Sequence, residues 1–148
     1  MASRTDTLKQ EKIEAVVALV RDRLDGTKAT TAERFVRQFY VNVAPQDLVQ
    51  EEAEDLFGAA IAMWGFGRER DAQTPKIRAY NPSFEEVGWQ SAHTVLEIVN
   101  DDMPFLVDSV TSALNQQDLT VHLVIHPIMR VTRTPKGTVK DLLDSDAD

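Results

Sequence analysis

Three histidines, His93, His122 and His126, are the side chains best suited to bind a metal or to move a proton near neutral pH. His122 and His126 fall on one face of a stretch that reads as strand, yet four strand residues separate them by about 13 Å. Two ligands of one zinc ion must each lie about 2 Å from it. Pro127 comes too late to bend the strand between them, so we read all three as structural or surface histidines and expect no metal site. The chain has no cysteine, which removes disulfides, thiolate ligands and a cysteine nucleophile. Gly65-Phe66-Gly67 with Arg70 partly imitates a dinucleotide fingerprint, but the third glycine is missing and the motif follows a helix instead of a strand. No phosphate loop, nucleophile elbow or triad spacing occurs, and no catalytic residue is assigned. Trp64, Phe66 and Trp89 either pack internally, as aromatics at helix ends usually do, or line a partner surface.

The run Asn100, Asp101, Asp102, Met103, Pro104 reads as a helix start. Short acids accept hydrogen bonds from free N–H groups, and proline fits the first helical turn because its missing N–H costs nothing there. The helix after it carries Leu106, Val110, Ala113 and Leu114 on one face. Before it, residues 93–99 are rich in β-branched side chains and suit a buried strand. After it, residues 119–131 read as one long strand. A short additional strand is expected at 76–80, followed by the turn signal Asn81-Pro82-Ser83.

The first third has helical periodicity. Ile13, Val16, Val17, Val20 and Leu24 form one apolar stripe, which Gly26 is expected to stop. Thr30 and Glu33 have capping-box spacing ahead of a second stripe, Phe35, Val36, Phe39, Tyr40 and Val43. Pro45 is expected to open a third helix with Leu48, Val49, Leu56, Phe57, Ala60 and Met63 on its apolar face, ending at Gly65-Phe66-Gly67. The domain division expected is a helical segment 1–72, a partial α/β domain 75–133, and an acidic linker or tail 134–148.

Composition bounds the rest. A chain of 148 residues with 43% apolar residues can bury a real core. The net charge of -8 repels phosphate backbones and anionic lipid surfaces, so nucleic acid and membrane are not expected partners. The first fourteen residues hold no apolar stretch of the secretory kind, and the longest apolar runs fall far short of the ~18–20 residues that span a bilayer. A cytoplasmic location is expected.

The segment EIVNDDMPFLVDSVTSALNQQDLTVHLVIHPIMRVTR, with Asp102-Met103-Pro104 at the strand-to-helix corner, resembles the opening β-α-β of an ACT domain, a small amino-acid-sensing module. More narrowly, it resembles the N-terminal region of the large bacterial NAD-specific glutamate dehydrogenases, in which helical and ACT-like regulatory segments precede a distant catalytic core. The match covers residues 94–133, and the uninterrupted NDDMPFLVDS run is its most specific part. The fold class implied is α+β, with N-terminal amphipathic helices followed by a partial ACT-like, ferredoxin-like β-α-β unit and an extra short strand.

The resemblance implies that the loop of Asn100, Asp101, Asp102, Met103 and Pro104 can hold an amino-acid effector, its carboxylate at the helix start. The family pattern commonly has glycine after the proline, where this chain has Phe105. That bulk, and two adjacent aspartates, leave a second reading in which Asp101 and Asp102 simply cap the helix. In a ferredoxin-like sheet a later strand slots between the two parallel strands, so this stretch is expected to belong to a longer chain unless the N-terminal elements fill the gap. The function implied is a regulatory or assembly segment of a dehydrogenase that converts L-glutamate to 2-oxoglutarate and ammonium with NAD. NAD would be the cofactor of the parent enzyme and not of this segment. The expected partners are the remainder of that chain and its homo-oligomer. The alternative is a free-standing ACT-like amino-acid-binding or dimerisation module.

Overall fold

The computed structural model describes residues 3–71 and 73–144. Four helices come first: α1 (Arg4–Arg23), α2 (Gly26–Tyr40), α3 (Pro45–Val49) and α4 (Ala53–Gly67). The apolar stripes read from the sequence become their common core. Val16, Val17 and Val20 of α1 are fully buried against Ala32 and Val36 of α2 and Ala60 of α4. Tyr40 is buried as well, and its hydroxyl donates to the Leu56 carbonyl at 2.6 Å, which satisfies a group that would be costly to bury alone. On the outside, Glu33 pairs with Arg21 and Arg37, and Arg23 pairs with Glu54. Such exposed pairs contribute little individually and mainly fix how the helices are turned.

Three helix boundaries differ from expectation. Gly26 does not follow α1 as its stop; it opens α2, with φ +55. Thr30 therefore lies inside α2, where its hydroxyl donates to the Gly26 carbonyl at 3.2 Å, and it caps nothing. The capping box is instead at α1, where the Ser3 hydroxyl accepts from the Asp6 N–H and the Asp6 carboxylate accepts from the Ser3 N–H. The expected third helix is two helices, broken at residues 50–52, with Glu52 in extended conformation. A continuous helix would place Ala60 about 120° around from Leu48; the break lets Leu48, Leu56 and Ala60 all reach the core.

The second half is α+β. β1 (Lys76–Tyr80) pairs antiparallel with β2 (Val95–Val99), Lys76 opposite Val99 and Tyr80 opposite Val95. Between them lies the single turn α5 (Phe84–Val87), capped by Ser83 and closed by Gly88. Trp89 follows and seats its ring on Gly58 of α4, where an added Cβ would come within 2.2 Å of it. α6 (Leu106–Gln116) comes after β2, and β3 (Val131–Arg133) forms a hairpin with β4 (Val139–Leu142). At the tip of that hairpin, Gly137 at φ +92 lies so close to the Arg70 carbonyl that a side chain could not fit. The α+β class is as expected, helices followed by a partial ACT-like unit.

Two expectations about the second half need correction. The long strand expected at 119–131 is paired only at its last residue, Val131, the start of β3. Residues 119–130 run on without a partner strand among the described residues, and extended backbone registers as sheet only where a neighbour supplies its hydrogen bonds. The stretch read as an acidic tail contains β4 within its described part. Leu142 is buried at 2% exposure in the helical core, and Arg34 and Gln38 of α2 donate to the carbonyls of Leu142 and Leu143 at 2.6 and 2.8 Å. Leu142, these two backbone acceptors, the Arg34–Asp144 ion pair and backbone bonds of Gly137 and Val139 with Arg70 and Arg68 dock the stretch, although its net composition is that of a linker. Residues 145–148 of it lie outside the described residues.

Candidate functional site

β2 and the start of α6 position the corner of Asn100, Asp101, Asp102, Met103 and Pro104. Asn100 is half-buried, its amide 3.7 Å from the Met103 sulfur, and the other four are exposed. Neither aspartate caps the helix. The residue ahead of α6 is Phe105, in left-handed conformation at φ 66, and no side chain accepts from the first-turn N–H groups. Asp101 instead pairs with Arg70 at 2.9 Å. That ion pair commits Asp101 to a charged partner, and the cap position itself falls on Phe105. Position 105 thus holds the backbone conformation that glycine adopts most readily. The Phe105 ring itself is 76% exposed.

Arg70 is the least expected part of this site. Its side chain is 8% exposed, its Nε donates to the Thr74 carbonyl at 2.7 Å, and its Nη2 is buried without a partner. Arg133 stands near it and donates to the carbonyls of Gly67 and Gly137 at 2.9 and 2.8 Å. Burial, and then the neighbouring Arg70 charge, hold the Arg133 pKa below its ordinary value. Lys76 donates to the carbonyls of Phe66 and Glu69 at 2.8 and 3.0 Å. These cations gather where α4 ends, because its last carbonyls are unsatisfied and carry the negative pole of the helix.

Gly65-Phe66-Gly67 is therefore a carbonyl-rich helix C-terminus already capped by basic side chains. A dinucleotide pyrophosphate needs the opposite pole, with N–H groups free. The residues do not fit NAD at this motif.

A second polar group was not foreseen. Glu97 is 4% exposed, and Arg78 Nε donates to it at 2.7 Å while the Tyr80 hydroxyl donates at 3.2 Å. Burial and then the Glu97 charge push the Tyr80 pKa up to about 12. The signal was present in sequence as Lys76, Arg78 and Tyr80 at alternate positions, which marks one polar strand face. What it lacked was the partner strand carrying Glu97. Both Glu97 oxygens are engaged, one by Arg78 and the other by Tyr80.

The histidines pair differently from their sequence spacing. His93, two residues ahead of β2, stacks on His122, ring centroids 3.9 Å apart. Among the described residues no three metal-ligating side chains form a cluster. Trp64 packs on Phe35 with centroids 5.1 Å apart, Trp89 is buried, and Phe66 lies under the Arg78 guanidinium; each is internal packing. Two open clefts, of about 430 and 820 Å³, are lined by the helices and the β1–α5 region, and neither includes residues 100–104. No helix among the described residues is long and apolar enough to cross a membrane.

Comparison with known proteins gives the same frame. The chain is 41% identical over 131 residues to the NAD-specific glutamate dehydrogenase of Halomonas elongata, an alignment that covers 88% of this chain and 8% of that protein. It is 37% identical over 109 residues to the NAD-specific glutamate dehydrogenase of Pseudomonas aeruginosa, covering 74% of this chain and 7% of that one. It thus spans less than a tenth of the length of these curated relatives. No solved structure matches. The family model for the ACT1 domain of glutamate dehydrogenase matches residues 35–148, and the chain belongs to that family.

Proposed function

We infer that this chain is a regulatory or assembly segment of an NAD-specific glutamate dehydrogenase and is not catalytic by itself. The parent reaction would be oxidation of L-glutamate with NAD and water to 2-oxoglutarate, ammonium and NADH. The observation that carries this reading is the uneven burial of the molecule. The helical half is closed, whereas α6 has no buried residue and the sheet leaves apolar side chains in solvent. Uncovered apolar surface of this extent marks a part that packs against something else. The chemistry supports it too, since the one buried carboxylate among the described residues is neutralised by Arg78. NAD, a cytoplasmic location and a homo-oligomer belong to the parent enzyme in this reading. The division into helical 1–72 and ACT-like 75–133 segments goes with it.

The direct test is the size of the native product in its own cells, detected with an antibody against this chain. A product many times longer than 148 residues that co-purifies with glutamate-dependent NAD reduction is the expected result. A product of 148 residues would overturn it.

The corner at Asn100, Asp101, Asp102, Met103 and Pro104 favours a second reading, an amino-acid-binding module. Arg70 Nη2 has no partner there, and Asp101 is 70% exposed, so an ammonium and a carboxylate each have a counter-charge nearby. An amino-acid effector at millimolar concentration should then raise the melting temperature of the protein. No shift with any of the common amino acids would dismiss it.

A further inference from the structure

Three separate parts of the chain meet at Arg70: the end of α4, the tip of the β3–β4 hairpin and the corner of residues 100–104. The Arg70 N–H donates to the Gly137 carbonyl at 3.0 Å, and the Val139 N–H donates to the Arg68 carbonyl at 2.7 Å. The Arg70 carbonyl lies against Gly137, where no Cβ could fit. Its guanidinium reaches Asp101 at 2.9 Å. Arg133, from the hairpin itself, donates to the carbonyls of Gly67 and Gly137 and so pins the same tip.

Charge at this node is unevenly shared. Burial, and then the Arg70 charge, lower the Arg133 pKa, while Asp101 raises it. Among the described residues no other carboxylate pairs with either guanidinium. Two cations thus depend on one acid. The Arg70 side chain is 8% exposed and the Asp101 side chain 70%, so it is the acid that solution reaches. Arg70 Nη2 is already buried without an acceptor. With Asp101 withdrawn, the side-chain bond left to Arg70 is from Nε to the Thr74 carbonyl. A buried guanidinium that loses its carboxylate is strongly destabilised, and repulsion from Arg133 adds to that where water does not screen it.

We propose that this node is a charge-operated latch: Asp101 holds the tip of the β3–β4 hairpin against the end of α4, and capture of Asp101 by a cationic group releases it. The capturing group is an ammonium or a guanidinium, because a cation is what competes with Arg70 for a carboxylate. Release passes to the hairpin tip and not to α1, since the backbone bonds around Arg70 run to Gly137 and from Val139. The other end of the hairpin stays in place, held by Leu142 in the helical core. The trigger rests on the reading of this corner as a binding site; the coupling does not.

The test is hydrogen exchange on the full-length native protein. Asp101→Asn should speed exchange at the Arg70 and Val139 amides by about 10-fold or more, while the Val16 and Val17 amides of α1 keep their rates. Asp101→Glu, which retains the charge on an exposed side chain, should keep most of the protection. Arg70→Met leaves no guanidinium to be orphaned there, so adding Asp101→Asn to it should have little further effect. Unchanged exchange at Arg70 and Val139 in Asp101→Asn overturns the latch, and so does an effect that persists undiminished in the Arg70→Met background. A rise shared equally by α1 means a general loss of stability and overturns it too. The binding reading fails separately, when no amino acid shifts the melting temperature of the unaltered protein.

Discussion

α1 and α6 are both amphipathic helices, yet Val16, Val17 and Val20 of one are fully buried and no residue of the other is. Their stripes follow the same spacing rule, so the difference lies in what stands opposite. α1 meets α2, α3 and α4, whose apolar faces complete a closed layer around it. Among the described residues no named element covers α6 in this way, and Leu106, Val110 and Leu114 remain half-exposed. A helix supplies one face of a core, and stability comes only when a second face arrives.

Substitutions should separate the two halves. Leu48→Ala, at a side chain 1% exposed, should cost about 2–5 kcal/mol in urea denaturation. Leu114→Ala on α6 should cost under about 1 kcal/mol, because little burial is lost. Equal costs would mean that α6 is as well packed as α1.

The join between the halves comes next. Gly58→Ala puts a methyl group into the Trp89 ring, and overpacking of this kind costs about 1–3 kcal/mol. The near-ultraviolet circular dichroism of Trp89 should change with it. An unchanged spectrum and midpoint would show that Trp89 does not anchor β1 and α5 to α4.

Phe105→Gly should act in the opposite direction. It relieves a left-handed residue at φ 66, an effect of about 1 kcal/mol, and removes a ring that is largely in solvent. A higher urea midpoint is expected, and a loss would mean the ring packs against the open half.

The smallest effect at neutral pH is tyrosine ionisation. Burial pushes Tyr40 upward most, and Tyr80 rises to about 12 from the ordinary 10.0. The fold favours the protonated phenol, so this contribution is complete below pH 10.0 and is lost as pH rises through about 12. Absorbance at the tyrosinate band should stay near zero in the native protein at pH 10.5 (roughly half a unit above the unshifted value) and should appear together with alkaline unfolding. An early rise from one phenol would show that Tyr80 is freely solvated.

Much of this was legible in residue order because helical periodicity is local. The stripes from Ile13 to Leu24 and from Phe35 to Val43 predicted α1, α2 and their core. The strands at 76–80 and 95–99 followed from β-branched or alternating composition. The corner of residues 100–104 was legible as a turn into a helix, but its aspartates were assigned to capping. The competing Arg70 lies thirty-one positions away, beyond the reach of local pattern.

The sequence by itself determined the fold class, the helix faces and the family, since each depends on composition and spacing within a few turns of chain. Only the tertiary structure decided the rest. It took Asp101 from the helix N-terminus to Arg70, matched Glu97 with Arg78, stacked His93 on His122, and drew Leu142 out of an acidic stretch into the helical core. It also left residues 119–130 extended and unpaired, because strand formation requires a neighbour and local sequence cannot supply one.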